Sequence, residues 1–169
     1  LNPKEPPRFN IQDAIVHGVS SVDGGIARLD LLPSSVDLLE VQDDLPLIAV
    51  DGVLFEQVLF NLLDNSAKYA APETTIILRA RRAGAAVTIA LLDEGPGLPD
   101  EDRERIFDKF YRVRVADKKR AGTGLGLAIA RGFMEAMGGT IAAANRSDRS
   151  GAVFTLILPV PVISEIATP

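Results

Sequence analysis

Cysteine and tryptophan are absent from the chain, histidine occurs once, and phenylalanine and tyrosine together make up only 5% of its residues. Without cysteine there is no disulfide, no thiolate zinc site and no cysteine nucleophile, a pattern that fits a reducing compartment. A single histidine leaves little from which to build a transition-metal site. No apolar run approaches the ~18 residues needed to cross a bilayer, and the opening LNPKEPPRFN has no signal-peptide pattern. Glycine and proline, at 14 and 11 copies and without a period, exclude collagen, low-complexity disorder and solenoid repeats. Basic charge is in the minority: 18 Lys and Arg against 23 Asp and Glu leave a net charge of −5. That balance argues against nucleic acid or an anionic membrane as the main partner, so any phosphate must be gripped locally.

What is present suits one domain: 169 residues, 47% of them apolar, are enough to bury a core. Residues 1–9 are proline-rich and read as a linker, as if the chain were cut from something longer; residues 10–160 read as the domain and 161–169 as a loose tail. Asn10 can cap a stretch in which Ile11, Ala14, Ile15 and Val19 recur at helical spacing, which predicts a helix over 10–22. VDLLEV (36–41) and LIAV (47–50) read as short strands on either side of the turn-like QDDLP. Asp51 opens the strongest helical pattern, which runs to about Ala70 and is stopped by Pro72. TTIILRARR (74–82) and AVTIALLD (86–93) predict an antiparallel hairpin joined across Ala83–Ala85. About two dozen residues of weak periodicity follow, with one helical turn at DEDRERIF; connections that long in compact domains are usually functional lids or disordered. AGTGLGL (121–127) leads into a helix to about Met137, ended by Gly138 and Gly139, and TIAAAN and AVFTLILP supply the last two strands. The sum is an α/β (α+β) two-layer sandwich, with a mixed, mainly antiparallel sheet of about five strands and three main helices on one face.

On the 51–70 helix, Gln57, Asn61, Asp64, Asn65 and Lys68 share one sector of about 100°, while Phe55, Leu59, Leu62 and Leu63 point away. Asn is a mediocre helix former, so two of them one turn apart ask for a reason. A side-chain carbonyl offers a neutral oxygen to a nucleotide-bound Mg²⁺, which needs few protein ligands. Taken alone, the stripe equally suits a solvated face.

DEGPGLP (93–99) places Asp93 at a strand end, followed by Gly95 and Gly97, which let a backbone approach a ligand closely. A carboxylate accepts but does not donate, so Asp93 suits the exocyclic amine of adenine and repels the carbonyl of guanine. A plain Asx turn is the alternative. GTGLGL (122–127) sets three glycines at every second position before a helix, where N–H groups attract phosphate oxygens. It has neither the dinucleotide nor the P-loop spacing, and a simple helix-start turn remains open. Between these loops lie FDKFYR (107–112) and RVADKKR. Phe107 and Phe110 are expected to insert their rings into the core, while Lys109, Arg112 and Arg114 can reach phosphates; a solvated basic loop is the alternative.

Taken together, NLLDNSAKY, DEGPGLP, FDKFYR and GTGLGL, in this order and at these separations, resemble the N, first-glycine, F and second-glycine boxes of sensor histidine kinases. The family's catalytic ATP-binding domain would cover residues 10–160, and the wording of DEGPGLPDEDRERIFDKFYR and GTGLGLAIARGFMEAMGGTI is most similar to the Kdp-type potassium and osmotic sensor kinases. The resemblance implies a Bergerat-type sandwich with an ATP lid, the architecture of gyrase, Hsp90 and mismatch-repair ATPases, with ATP and Mg²⁺ as cofactors. It also implies that Asn65 coordinates Mg²⁺, Asn61 and Lys68 face the phosphates, Tyr69 flanks the nucleotide, Asp93 reads adenine, and Gly95 and Gly97 line the base. By the same match Gly122, Thr123, Gly124, Leu125 and Gly126 form the hinge and phosphate side of the lid. Lys109 joins the nucleotide contacts, and Arg112 reaches the γ-phosphate. Asn61, Lys68 and Arg112 would then carry catalysis by positioning and charge stabilisation.

Two departures from the family pattern stand out. Relatives that hydrolyse ATP carry a Glu one turn before the Mg²⁺-binding Asn; here the position is Asn61, an amide that takes no proton at neutral pH, so water is a poor acceptor. Many relatives also have Thr after the glycine of the final strand, where this chain has Ala152 and Val153. The only histidine, His17 in IVHGV, lacks the acidic neighbour and Arg-Thr-Pro sequence of a phosphoacceptor and is read as an ordinary helix residue. The acceptor, its dimerising helical hairpin and any membrane sensor are therefore expected upstream of Leu1, with residues 1–9 as the linker from that region. The resemblance implies a cytoplasmic, monomeric domain of an inner-membrane sensor kinase. Its partners would be the helical hairpin and a response regulator, with no nucleic acid. Rival readings on the same fold are an ATP-driven clamp, a serine kinase and a regulatory pseudo-kinase. The missing Glu and the short chain weigh against the first, FDKFYR against the second, and intact Asn65 and Asp93 with both glycine loops against the third.

Overall fold

A computed structural model describes residues 8–9, 35–41, 48–70, 74–113 and 122–159. The predicted helix over 10–22, the basic residues 114–120 and the tail 161–169 lie outside the described residues. Strands β1 (Arg8–Phe9) and β3 (Ile48–Ala49) pair antiparallel as a small two-stranded ribbon, so the end of the predicted linker is hydrogen-bonded and the 47–50 strand stays out of the main sheet. The main sheet has five strands: β2 (Ser35–Val41), β4 (Thr75–Ala83), β5 (Ala86–Leu92), β6 (Thr140–Asn145) and β7 (Ala152–Pro159). Their order is β2-β4-β5-β7-β6, with β2 parallel to β4 and every other pair antiparallel, the mixed and mainly antiparallel sheet read from the sequence.

Helix α1 (Gly52–Tyr69) starts where Asp51 accepts from the N–H groups of Val53 and Leu54 at 3.0 and 3.1 Å, satisfying two donors that a helix start leaves open. Helix α2 (Gly126–Ala136) ends at Met137, where Gly139 N–H reaches back to the Met134 carbonyl at 2.8 Å. The two helices pack on each other and on one face of the sheet. Strand alternation supplies the other half of the core: Ile76, Leu78 and Ala80 of β4, Val87, Ile89 and Leu91 of β5, and Phe154, Leu156 and Leu158 of β7 are all buried. From α1, Phe55, Val58, Leu59, Leu62 and Leu63 fill the space above them. Each such side chain contributes about 1.5–3 kcal/mol by leaving water. Of the opposite parity, Arg79 and Arg81 on β4 and Ala142 and Ala144 on β6 are exposed, while Thr88 and Ala90 on β5 and Thr155 on β7 are half-buried.

This packing leaves one edge of α1 uncovered by the sheet. There the loop after β5 and the loop before α2 come together.

Candidate functional site

The register of β5 carries Asp93 just past the strand end, where its N–H donates to the Ala152 carbonyl of β7 at 3.0 Å. Asp93 is 3% exposed, so its carboxylate needs donors, and it has three. Oδ1 accepts from the N–H groups of Gly95 and Ala152, both at 2.9 Å, and Oδ2 accepts from the Ser66 hydroxyl at 3.3 Å. An ionised carboxylate has about four acceptor positions. With three filled, roughly one remains, and Asp93 lines a cavity between α1, the 93–99 loop and the start of α2. The residual chemistry at this end of the cavity is that of an acceptor for one N–H donor. Ala152, which has no hydroxyl, contributes its backbone, and Ser66 supplies a hydroxyl from the helix side.

At the other end of the cavity the polar stripe of α1 appears as expected: Asn61, Asp64, Asn65 and Lys68 all line it, with Tyr69 beside them, while Gln57 is exposed outside it. The Asn61 Nδ2 is buried without a hydrogen-bond partner, one of two such side-chain atoms among the described residues. A buried donor left unmade costs roughly 1–3 kcal/mol, so this amide is poised for an acceptor. Asn61 Oδ1 lies 3.5 Å from where a Cβ on Gly126 would sit, which brings the first turn of α2 against it. That turn begins at Leu125 with no side-chain cap, leaving helix N–H groups and the positive end of the helix dipole facing the same space. Lys68 Nζ sits 2.6 Å from Asp64 Oδ2, both partly exposed, a helical pair that holds the ammonium at the rim.

Gly122, Thr123, Gly124 and Gly126 line the cavity, as do Gly97 and Arg112. Gly124 has φ +70, and a Cβ there would fall 2.9 Å from the Phe110 carbonyl carbon and the Tyr111 oxygen, so only glycine permits this approach. Three of the residues that the resemblance assigns to nucleotide binding are not in the cavity wall. Gly95 lies beneath it against the Tyr69 carbonyl, Lys109 is exposed outside it, and Leu125 precedes the helix without lining it.

The expectation that both phenylalanines of FDKFYR enter the core is half corrected. Phe107 is buried, with the Arg131 guanidinium 4.7 Å from its ring centroid, but Phe110 is 70% exposed. Its backbone adopts φ +65, and its N–H donates to the Gly124 carbonyl at 2.9 Å, a conformation that turns the ring outward. The second anchor is Tyr111: it packs on the core, its hydroxyl donates to Asp102, and the Arg105 guanidinium stacks 4.5 Å over its ring.

Residues 50–162 match the family described as histidine kinase-, DNA gyrase B- and HSP90-like ATPase. The chain belongs to this family. The matched span contains every residue that lines the cavity, and ATP binding is the property this ATPase family shares. Among curated relatives, the sensor protein KdpD of Escherichia coli is 44% identical over 160 residues, covering 94% of this chain and 17% of that protein. The chain therefore spans about a sixth of that relative's length. Among solved structures, full-length ShkA in complex with AMPPNP superposes with TM-score 0.70 at 26% identity, covering 91% of this chain and 31% of that one. Histidine kinase ThkA in complex with the response regulator TrrA shares the fold, with TM-score 0.72 at 24% identity over 92% of this chain and 42% of that one. The ATPase domain described here is thus of the sensor-histidine-kinase kind.

Sequence reasoning passed over three residues that hold the walls of this cavity from outside it: Ser66, Asn145 and Arg146. Ser66 is a polar residue on the apolar side of α1, a break in periodicity that signals a buried partner. Asn145 ends β6 and Arg146 follows it, and no local pattern reveals what they hold. Among the described residues no cluster of three His, Cys, Asp or Glu side chains could hold a metal by itself, and no helix is long and apolar enough to cross a membrane.

Proposed function

We propose that this domain binds Mg-ATP and passes the γ-phosphate to a histidine on a separate helical hairpin of its parent sensor kinase, which then feeds a response regulator. The observation that carries the reading is the polarity of a single cavity. A carboxylate with about one acceptor position left stands at one end, and an unpartnered amide donor beside an uncapped helix start stands at the other. Adenine offers an amino group and a triphosphate offers acceptor oxygens, so ATP is complementary at both ends. Mg²⁺ fits the same donors: the neutral amide oxygen of Asn65 supplies one hard ligand, and the ion when bound would neutralise charge on the phosphates.

In this reading Asp93 accepts from the adenine amine, Gly97 lets the base approach, and Tyr69 flanks it. Asn61 donates to a phosphate oxygen, and Gly122, Thr123, Gly124 and Gly126 offer backbone N–H groups from the loop. Lys68 and Arg112 offset the charge that develops as the nitrogen–phosphorus bond forms and the bond from the γ-phosphorus to the bridging oxygen breaks, releasing ADP. Asn61 cannot take a proton from water, so transfer to a histidine is favoured over hydrolysis. Because ATP is the donor, the domain works on the cytoplasmic side. Its likeness to KdpD extends the proposal to potassium or osmotic sensing.

The test is to mix the domain with γ-labelled ATP, Mg²⁺ and the separately produced helical hairpin, following label on the hairpin and free phosphate in parallel. Acid-labile, base-stable label with little free phosphate is expected, reduced about 100-fold or more in Asn65→Ala. Rapid phosphate release without labelled protein would overturn the transfer reading in favour of an ATPase clamp.

A further inference from the structure

The turn between β6 and β7 lies outside the cavity wall, yet its residues hold the 93–98 loop along its length. Asn145 clamps Leu98 at both main-chain groups, with Oδ1 accepting from the N–H at 2.7 Å and Nδ2 donating to the carbonyl at 2.9 Å. Ser150 Oγ donates to the Gly95 carbonyl at 2.7 Å, and Arg149 pairs with Glu94 at 3.1 Å. Arg146 reaches the Asp93 carbonyl with Nη1 at 3.3 Å. Its guanidinium plane is fixed by Asp148, through Nε at 3.0 Å and Nη2 at 2.8 Å, and its side chain is only 3% exposed. Turn and loop are built for contact: a Cβ on Gly151 would lie 2.0 Å from the Asp93 carbonyl oxygen.

A fork donating to Asp148 on one side has one nitrogen left, and that nitrogen grips the main chain of the residue whose carboxylate faces the cavity. Asn145 grips the far end of the same loop. Neither residue lines the cavity, so neither touches what it holds. The strength of a hydrogen bond to a carboxylate depends steeply on distance and angle, so the placement of the Asp93 oxygens to within a fraction of an ångström decides how well one base is told from another.

We propose that Asn145 and Arg146 are positioning residues that set the selectivity of Asp93 for a 6-amino over a 6-oxo purine. The proposal rests on the reading of Asp93 as the base-reading group. Loosening either end of the loop lets the carboxylate drift. The amino purine then loses its bond, while the oxo purine, which Asp93 repels, loses little or gains.

The test measures dissociation constants of ADP and inosine diphosphate by calorimetry for the chain as it stands, for Asn145→Ala and Arg146→Met, and for two controls. Asn145 is exposed at a strand end, so its truncation leaves the fold intact even if Arg146→Met does not fold. ADP binding is expected to weaken about tenfold in both variants, with inosine diphosphate changing less than about twofold, so that the selectivity ratio collapses. Arg81→Ala, an exposed position on β4 that neither lines the cavity nor touches the loop, is expected to bind like the wild type. Leu158→Ala, a buried core truncation remote from the loop, is expected to lower stability while keeping the ratio. A preserved ratio in Asn145→Ala, with a selective wild type, overturns the proposal and leaves the site reading standing. An equal loss of both nucleotides, matched by Leu158→Ala, reduces the two residues to structural parts and also overturns it. A wild type that binds neither nucleotide removes the site reading itself, and the proposal with it.

Discussion

At the scale of single residues, the pair Arg146–Asp148 shows how a charge is spent on geometry. The hydrogen bonds from Arg146 hold the Asp148 carboxyl well below its ordinary value of 3.8, and Asp148 in turn raises the Arg146 guanidinium. A carboxyl depressed in the folded state stabilises that state above its unfolded value and loses the contribution as pH falls toward the folded one. Asp148→Asn is therefore expected to lower the thermal midpoint at pH 7. The gap to wild type should stay constant down to about pH 5 and narrow progressively as pH falls below the ordinary value of 3.8 toward the lower folded value. Thermal unfolding of the two chains between pH 2 and 8 checks this; a gap that widens in acid would contradict it. Asn61, Asn65 and Asp93, which line one cavity, were singled out by the boxes they sit in taken together, since each run alone left a plain structural alternative open. Asn145 and Arg146 were not, since their partners lie 47 and 53 residues away and only the pairing of β5, β6 and β7 brings them together.

At the scale of elements, the segment from Asp100 to Val113 has no regular structure beyond two short 3₁₀ turns, Asp100–Asp102 and Arg105–Phe107. Its order comes from side chains: Ile106 and Phe107 buried, Tyr111 packed on the core with its hydroxyl on Asp102, and Arg105 over the tyrosine ring. The five strands of the main sheet, β3 and both described helices could be read from the sequence pattern to within a residue or two at most ends, because alternation and helical stripes are local properties, whereas β1, read as linker, could not. Which aromatic of FDKFYR turns inward could not, because it depends on the left-handed backbone at Phe110 and on its bond to Gly124, a residue of the other loop. The contrast gives a paired prediction. Phe107→Ala should cost about 3–5 kcal/mol of stability, the usual loss for a buried aromatic. Phe110→Ala, which truncates an exposed ring, should stay within about 0.5 kcal/mol. Urea unfolding of both variants measures the difference; equal losses would mean that the ring of Phe110 is buried in solution.

At the scale of the whole molecule, a chain of net charge −5 has to bind a polyanion, and its long-range field opposes that. Among the described residues, attraction comes from Lys68, Arg112, the Asn61 amide and the uncapped start of α2. Under the proposed function, a divalent ion bound with the nucleotide would offset phosphate charge that the chain's own net charge opposes. The cavity is walled by α1, by the loop after β5 and by the start of α2, so a ligand that fills it ties both glycine loops to the core helix. A ligand bound only by the folded state adds about 2.7 kcal/mol at one hundred times its dissociation constant. For a domain of this size that corresponds to a rise of roughly 5–10 °C in the thermal midpoint. Mg-ADP is expected to produce a rise of that order. ADP with the metal chelated should produce a much smaller one, since the unneutralised phosphates then meet the chain's own negative field. Asp93→Asn should lose most of the rise at the same nucleotide concentration, because with its amide oxygen kept on the N–H groups of Gly95 and Ala152 the amide nitrogen takes the place of Oδ2, a donor where adenine needs an acceptor. Scanning fluorimetry across a nucleotide series, with and without chelator, separates the two ends of the site. A rise that survives chelation unchanged would detach Asn65 from the metal, and one that survives Asp93→Asn would detach the carboxylate from the base.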